Sequence, residues 1–333
     1  LAELAFDIAM SRAGEAFAFE GAIPLEGVTA VMGPSGSGKT TFLMALAGLE
    51  RRVRGDIRFG DTVWARGRRG LKPEARRVGF VFQEGRLFPH LTVAENLAYG
   101  ARRRKVHASA VQGIAEGMGL SDLMERRPAT LSGGESRRVA VARALASGPE
   151  ILFMDEPLSG LDDDAKAQVM PYLSRAVAVT GIPVVYVTHS RAEVTRFADR
   201  VLRVARGRIA GWDAPPPALA VTVVEAGHGR VIVDLDGARL VLPGYGRPGD
   251  ARRIALQENS VLLSRDAPGP SGAALVIRAE VAEVRQKPSG AELTLRVAGQ
   301  GLRWRIDPAS VLAARPPGPG ESIWMSILAA TLR

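Results

Sequence analysis

The 333-residue chain has no cysteine, so disulfides and thiolate metal sites are excluded and a reducing compartment is expected. Aromatic residues make up only 5%, and the basic clusters Arg51-Arg52, Arg68-Arg69 and Arg102-Arg103-Arg104-Lys105 have none interleaved. That speaks against a base-stacking platform and a nucleic-acid partner. No run reaches the roughly 18 apolar residues of a membrane-spanning helix. The opening LAELAFDIAM lacks a basic stretch before a long apolar core, so no secretory signal is expected and the chain reads as cytoplasmic. Its first residue, Leu1, reads as a trimmed or processed start. The formal charge of +9 is diffuse, with 30 Lys+Arg against 23 Asp+Glu up to residue 212 and 14 against 12 beyond. Solvated faces with some phosphate contacts account for it.

What is present is ordinary globular material, 46% hydrophobic and 24% charged, and long enough for two domains. Up to about residue 210, β-branched runs alternate with helical periodicity. Val28 to Met32, Val78 to Phe82, Ile151 to Met154, Val184 to Thr188 and Val201 to Val204 read as buried strands. Leu161, Ala165, Val169, Leu173 and Ala176 share one helix face, with Pro171 expected to kink that helix. This is the pattern of an α/β domain with a mostly parallel sheet.

Composition changes at Trp212 to Pro217, read as a stiff linker, which sets domains at 1–212 and 213–333. Beyond it, Leu219 to Val224, Val231 to Leu235, Leu275 to Val284, Glu292 to Val297, Leu302 to Ile306 and Ile323 to Leu328 read as strands. Pro268 to Gly272 and Pro317 to Gly320 punctuate them as turns. A small all-β, barrel-like domain is expected.

Gly33-Pro34-Ser35-Gly36-Ser37-Gly38-Lys39-Thr40 lies between a strand and an apolar run, followed by Thr41. It satisfies G-x-x-x-x-G-K-[ST] in the required context. Glycines let the backbone N–H groups turn toward phosphate oxygens, reinforced by the positive end of the next helix. Lys39 adds a cation worth about 4 kcal/mol per contact at about 4 Å before desolvation, and Thr40 a hydroxyl for Mg²⁺. Ile151 to Met154 then runs into Asp155-Glu156 at a strand's carboxyl end, where open α/β sheets bind ligands. Asp155 suits a metal contact and Glu156 a base for water. Pro157 follows, so helix capping passes downstream to the stretch Asp162 to Asp164.

Leu131-Ser132-Gly133-Gly134-Glu135 opens the basic, helical stretch from Ser136 to Leu145, a second anion-binding helix start. One nucleotide has one γ-phosphate, so the second start is expected to serve a nucleotide held by another copy. His189 follows a buried strand and reaches the same sheet edge; His90, His107 and His228 have no metal-ligand spacing.

In this order the motifs resemble those of an ATP-binding-cassette (ABC) ATPase. The Gly33 to Thr40 loop is similar to Walker A, Gln83 in Val81-Phe-Gln-Glu84 to the Q-loop glutamine, and Leu131 to Glu135 to the signature sequence. Ile151 to Glu156 is similar to Walker B with its glutamate, Ser159-Gly-Leu-Asp162 to the D-loop, and His189 to the switch histidine. The resemblance implies ATP and Mg²⁺ as ligands, with Thr40, Gln83 and Asp155 at the metal and Gln83, Glu156 and His189 in catalysis. Residues 33–41, Ser132, Gly133, Gly134 and Asp162 would contact nucleotide. It further implies a helical subdomain and a head-to-tail homodimer. Integral-membrane permease subunits would be partners on the cytoplasmic face of the cell membrane, and indirectly a substrate-binding protein.

The stretch from Leu71 to Val93 and Pro171-Tyr-Leu173 are similar to the ATPase subunits of molybdate importers, whose last domain is OB-like. Sulfate and iron importer subunits share the first domain closely. Family domains that bind molybdate carry a Ser-x-Arg-Asn type segment and a late lysine. Here Pro270 to Leu275 and Ser326 to Ala329 lack those donors, so a structural or dimer-supporting domain is expected. Ile8 to Ala13 also lacks the aromatic on which adenine stacks in many relatives, while Phe17 and Phe19 alternate like core residues. Loose adenine selectivity is the expectation.

Overall fold

A computed structural model of the chain describes residues 2–12, 14–213, 217–227, 230–243, 247–256, 260–268, 273–287, 290–306, 312, 315–328 and 331–332. The chain divides into two units, Leu1–Pro215 and Pro216–Arg333.

In the first unit, β1 (Glu3–Arg12), β2 (Glu15–Pro24), β3 (Val28–Met32), β4 (Arg54–Phe59), β5 (Thr62–Arg66), β6 (Arg69–Gly70), β7 (Val78–Val81), β8 (Ile151–Asp155), β9 (Val184–Val187), β10 (Arg200–Ala205) and β11 (Arg208–Asp213) form one hydrogen-bonded sheet. Its order is β6-β5-β4-β1-β2-β11-β10-β3-β9-β8-β7. The run β10-β3-β9-β8-β7 is parallel, the run β6-β5-β4-β1-β2 is antiparallel, and β11 pairs antiparallel with β10 and parallel with β2.

The parallel strands are apolar on both faces, as helix-covered strands must be. In β8, Leu152 and Met154 point into one core while Ile151 and Phe153 point into the other. Val184 and Tyr186 of β9 divide from Val185 and Val187 in the same way. Helix α1 (Lys39–Ala47) lies in the second core through Phe42, Leu43 and Leu46. Helices α2 (Val93–Arg104), α3 (Ala108–Gly117), α4 (Gly133–Ala146) and α5 (Asp163–Thr180) contribute to the first core. Helix α6 (Arg191–Phe197) follows β9. Helix α5 is continuous across Pro171, and no described helix is long and apolar enough to cross a membrane.

Two buried polar groups fix the loops around this frame. Arg76 is 5% exposed and donates to Leu46 O at 2.6 Å and Leu71 O at 3.2 Å, so its cation closes the carboxyl end of α1. Burial lowers its pKa to about 10. Asn96, fully buried, accepts from Phe88 N–H and donates to Thr92 O, both at 2.9 Å, which shapes the loop before α2.

Trp212 and Asp213, expected to open the linker, are the last two residues of β11, paired with Leu202 and Val201. Ala214 to Pro216, His228 and the expected turn from Gly269 to Gly272 lie outside the described residues.

The second unit contains β12 (Ala218–Gly227), β13 (Arg230–Leu235), β14 (Ala238–Pro243), β15 (Ala251–Ala255), β16 (Val261–Ser264), β17 (Leu275–Lys287), β18 (Gly290–Val297), β19 (Gln300–Arg305), β20 (Ser322–Ile327) and β21 (Thr331–Leu332). They form two five-stranded sheets, β14-β13-β12-β15-β21 and β16-β20-β17-β18-β19. Inward residues of both, including Val233, Ile254, Leu295 and Met325, share one core. The turn near Gly320 is held by Glu321, which accepts from Gly318 N–H at 2.9 Å and from Arg265 at 2.6 Å.

Candidate active site

Four adjacent parallel strands end on one sheet edge. Val31 of β3 pairs with Val187 of β9, Val187 with Asp155 of β8, and Met154 with Val81 of β7. The residues after those positions are Gly33 to Thr40, Glu156, Thr188 to His189, and Gln83. A cavity of about 420 Å³ lies there, lined by Glu15, Phe17, Lys39, Thr40, Gln83 and Glu156, together with Ser35, Gly36, Gly38 and Thr41.

The loop geometry explains its glycines. A Cβ on Gly33 would sit 2.0 Å from Val204 O of β10, and one on Gly38 would sit 2.7 Å from the Phe17 ring, with φ at 97°. Helix α1 therefore starts from a left-handed Gly38 with no side-chain cap, leaving its first turn open at the positive end. Lys39 is 7% exposed, and its ammonium donates to Gly33 O and Pro34 O at 3.0 Å each. Ser37 Oγ is buried without a hydrogen-bond partner. A ligand rich in acceptor oxygens fits this set: a cation held by loop carbonyls, an unpartnered hydroxyl and an uncapped helix start.

Thr40 Oγ1 donates to Asp155 Oδ1 at 3.0 Å. Asp155 is 4% exposed, and burial raises its carboxyl pKa, opposed by the Thr40 hydrogen bond and helped by neighbouring Glu156. A buried carboxylate beside a hydroxyl is an oxygen donor set suited to a hard divalent cation. Glu156 stands one residue further at φ 43°, a left-handed conformation uncommon for a side-chain-bearing residue. Its Oε2 lies 3.4 Å from His189 Nδ1, and the imidazole side is 67% exposed.

The structure thus brings together residues 33–41, Gln83, Asp155, Glu156 and His189. Ser132, Gly133, Gly134 and Asp162 do not line the cavity. Ser132 instead caps α4: its Oγ accepts from Glu135 N–H at 3.2 Å while Glu135 Oε2 accepts from Ser132 N–H at 2.7 Å. That backbone bond holds the Glu135 pKa below the usual carboxylate range. Asp162 caps α5 by accepting from Ala165 N–H at 2.7 Å. Phe17 is buried against Phe19, ring centroids 6.1 Å apart, and also forms part of the cavity wall.

Sequence reasoning missed a buried network behind the switch loop. Tyr186 OH and Thr188 Oγ1 both donate to Glu193 Oε2, the latter at 2.7 Å, and Lys166 Nζ lies 3.7 Å from Glu193 Oε1. Thr188 Oγ1 also accepts from Ser190 N–H at 3.0 Å, fixing the backbone on both sides of His189. The only sequence signal was a tyrosine inside an otherwise aliphatic buried strand.

The family model described as ABC transporter matches residues 19–159. The chain is 39% identical over 303 residues to the molybdenum import ATP-binding protein ModC of Rhodobacter capsulatus, covering 83% of this chain and 82% of that protein. It is 36% identical over 320 residues to the protein of the same name in Rhizobium johnstonii, covering 88% and 89%. Over 189 residues, 56% of this chain and 51% of the relative, identity to the Rhodospirillum rubrum protein is 48%.

Proposed function

The chain belongs to the molybdenum import ATP-binding proteins of the ABC transporter family, and from that premise we propose that it energises uptake of molybdate by hydrolysing ATP. The observation that carries the reading is the single sheet edge on which Lys39, Gln83, Asp155, Glu156 and His189 converge.

Each side chain has a task there. Loop N–H groups and the Lys39 ammonium, released from Gly33 O and Pro34 O, take the phosphate oxygens. Thr40, Asp155 and Gln83 would hold Mg²⁺, which when bound offsets phosphate charge. Glu156 accepts the proton of the attacking water, and His189, beside its carboxylate, donates toward the γ-phosphate. Phe17 and Glu15 also line the cavity, and loose selectivity for adenine is proposed on the absence of an aromatic from Ile8 to Ala13.

Ser132, Gly133, Gly134 and Asp162 lie off this cavity, so we assign them to the nucleotide of a second copy in a head-to-tail homodimer. The surface from Gln83 to Thr92, shaped by Asn96, docks the permease on the cytoplasmic face of the cell membrane, and a substrate-binding protein delivers the anion from the other side. The OB-like second unit is structural or supports dimerisation; its stretches Pro270 to Leu275 and Ser326 to Ala329 lack the Arg, Asn and Lys donors of the family's oxyanion segments.

Steady-state hydrolysis by the purified chain tests the site. Glu156→Gln should lower kcat on the order of a hundredfold to ten-thousandfold with ATP affinity retained, and undiminished turnover would contradict the assignment. In proteoliposomes with its permease, molybdate-loaded binding protein should stimulate hydrolysis; stimulation by sulfate alone would reassign the cargo.

A further inference from the structure

We infer that Arg137 is a positioning residue that holds the Gln83 backbone and the Glu156 turn in one geometry and ties both to the start of α4. This rests on the ATP-hydrolysing reading above. Arg137 sits in the second turn of α4. Its Nη1 donates to Gln83 O, and its Nη2 donates to Ser159 O at 2.9 Å. Ser159 N–H in turn donates to Glu156 O at 3.0 Å, closing the turn that keeps Glu156 left-handed. Gln83 and Glu156 line the same cavity, so one guanidinium stands behind both catalytic segments.

A planar fork is suited to this task, because two nitrogens reach two carbonyls from one rigid group, whereas an ammonium is a compact point charge on a flexible stem. Burial lowers the Arg137 pKa, so desolvation is accepted for the sake of these carbonyl bonds. Arg143, further along α4, makes a second fork, from Nη1 to Arg86 O at 2.7 Å and from Nη2 to Gly85 O at 3.0 Å. It also lies over the Phe88 ring, 5.2 Å from its centroid. At the start of the same helix, a Cβ on Gly133 would be 3.1 Å from the Leu161 side chain, so α4 rests on the segment after Ser159. The Gln83 loop, the Glu156 turn and the anion-binding start of α4 therefore move together, and a shift of the Gln83 to Thr92 surface reaches Glu156 through Arg137.

The test uses the full chain with Arg137→Ala, Arg137→Lys and Arg143→Ala. Amide exchange without nucleotide reports on Gly85 and Ser159, while kcat, KM for ATP and Tm are measured alongside. Arg137→Ala should speed exchange at both amides and lower kcat about tenfold, with KM within about twofold and Tm nearly unchanged. Arg137→Lys should restore protection at one segment and recover part of kcat. Arg143→Ala should loosen Gly85 and leave Ser159 protected. Unchanged exchange and kcat in Arg137→Ala would overturn the inference, as would a kcat loss that follows Tm in every variant. If the wild type fails to hydrolyse ATP, the ATPase reading falls, and the exchange data alone still judge the clamp.

Discussion

Removing the Glu193 carboxylate should cost far more than its place on a short helix suggests. Glu193→Ala leaves Tyr186, fully buried, and Thr188, 2% exposed, without their shared acceptor. Each orphaned hydroxyl costs about 1–3 kcal/mol. The contact with Lys166 at 3.7 Å is a quarter exposed on the lysine side and adds less than about 1 kcal/mol. The sum is about 2–7 kcal/mol, a large share of a typical domain's 5–15 kcal/mol or so. Burial and then the Glu193 charge push the Tyr186 pKa well above its ordinary value, so the phenol remains a donor at any working pH. Tyr186→Phe alone removes one bond and should cost about 1–2 kcal/mol. The double variant should cost less than the two singles added, because no orphaned phenol remains. Urea-dependent amide exchange in β9 isolates the first unit's stability from that of the second. A loss below about 1 kcal/mol in Glu193→Ala, or strict additivity in the double variant, would refute the reasoning.

Gly33→Ala places a Cβ 2.0 Å from Val204 O, a main-chain atom that yields only if β10 shifts; we expect about 1–3 kcal/mol of destabilisation and weakened ATP binding, read by calorimetry. Asp155 supplies a pH dependence. Its folded pKa lies above its ordinary value, so the ligand-free chain gains stability from this group at acid pH and loses it as pH rises through the folded-state value. The difference in denaturation midpoint between wild type and Asp155→Asn should change across that window, and a flat difference would contradict it. Mg²⁺ should bind more weakly as pH falls through the same range, because protonation competes with the cation.

The parallel core was legible because both its signals are local. Uninterrupted apolar runs such as Ile151 to Met154 mark strands buried on two faces, and chemistry-bearing residues directly follow them. The antiparallel ladder of β1, β4 and β5 and the strand Ala251-Arg-Arg-Ile-Ala255 were not, because one face is solvated and the apolar signal is halved. The arginines of α4 read as a basic helix surface. Their partners are main-chain carbonyls up to 58 residues away, Arg143 with Gly85 being the furthest, and carbonyls leave no mark in a sequence. The same holds for Arg76 at the end of α1.

In the proposed composite site, Ser132 to Gly134 of one copy complete the cavity around Lys39 of another. Sedimentation of Glu156→Gln with and without ATP and Mg²⁺ tests it most directly. A monomer that becomes a dimer only with nucleotide, and stays monomeric when Ser132 is also replaced by a bulky residue, is the predicted result. A chain that remains monomeric under saturating nucleotide while the unmutated monomer hydrolyses ATP at its full rate would contradict it.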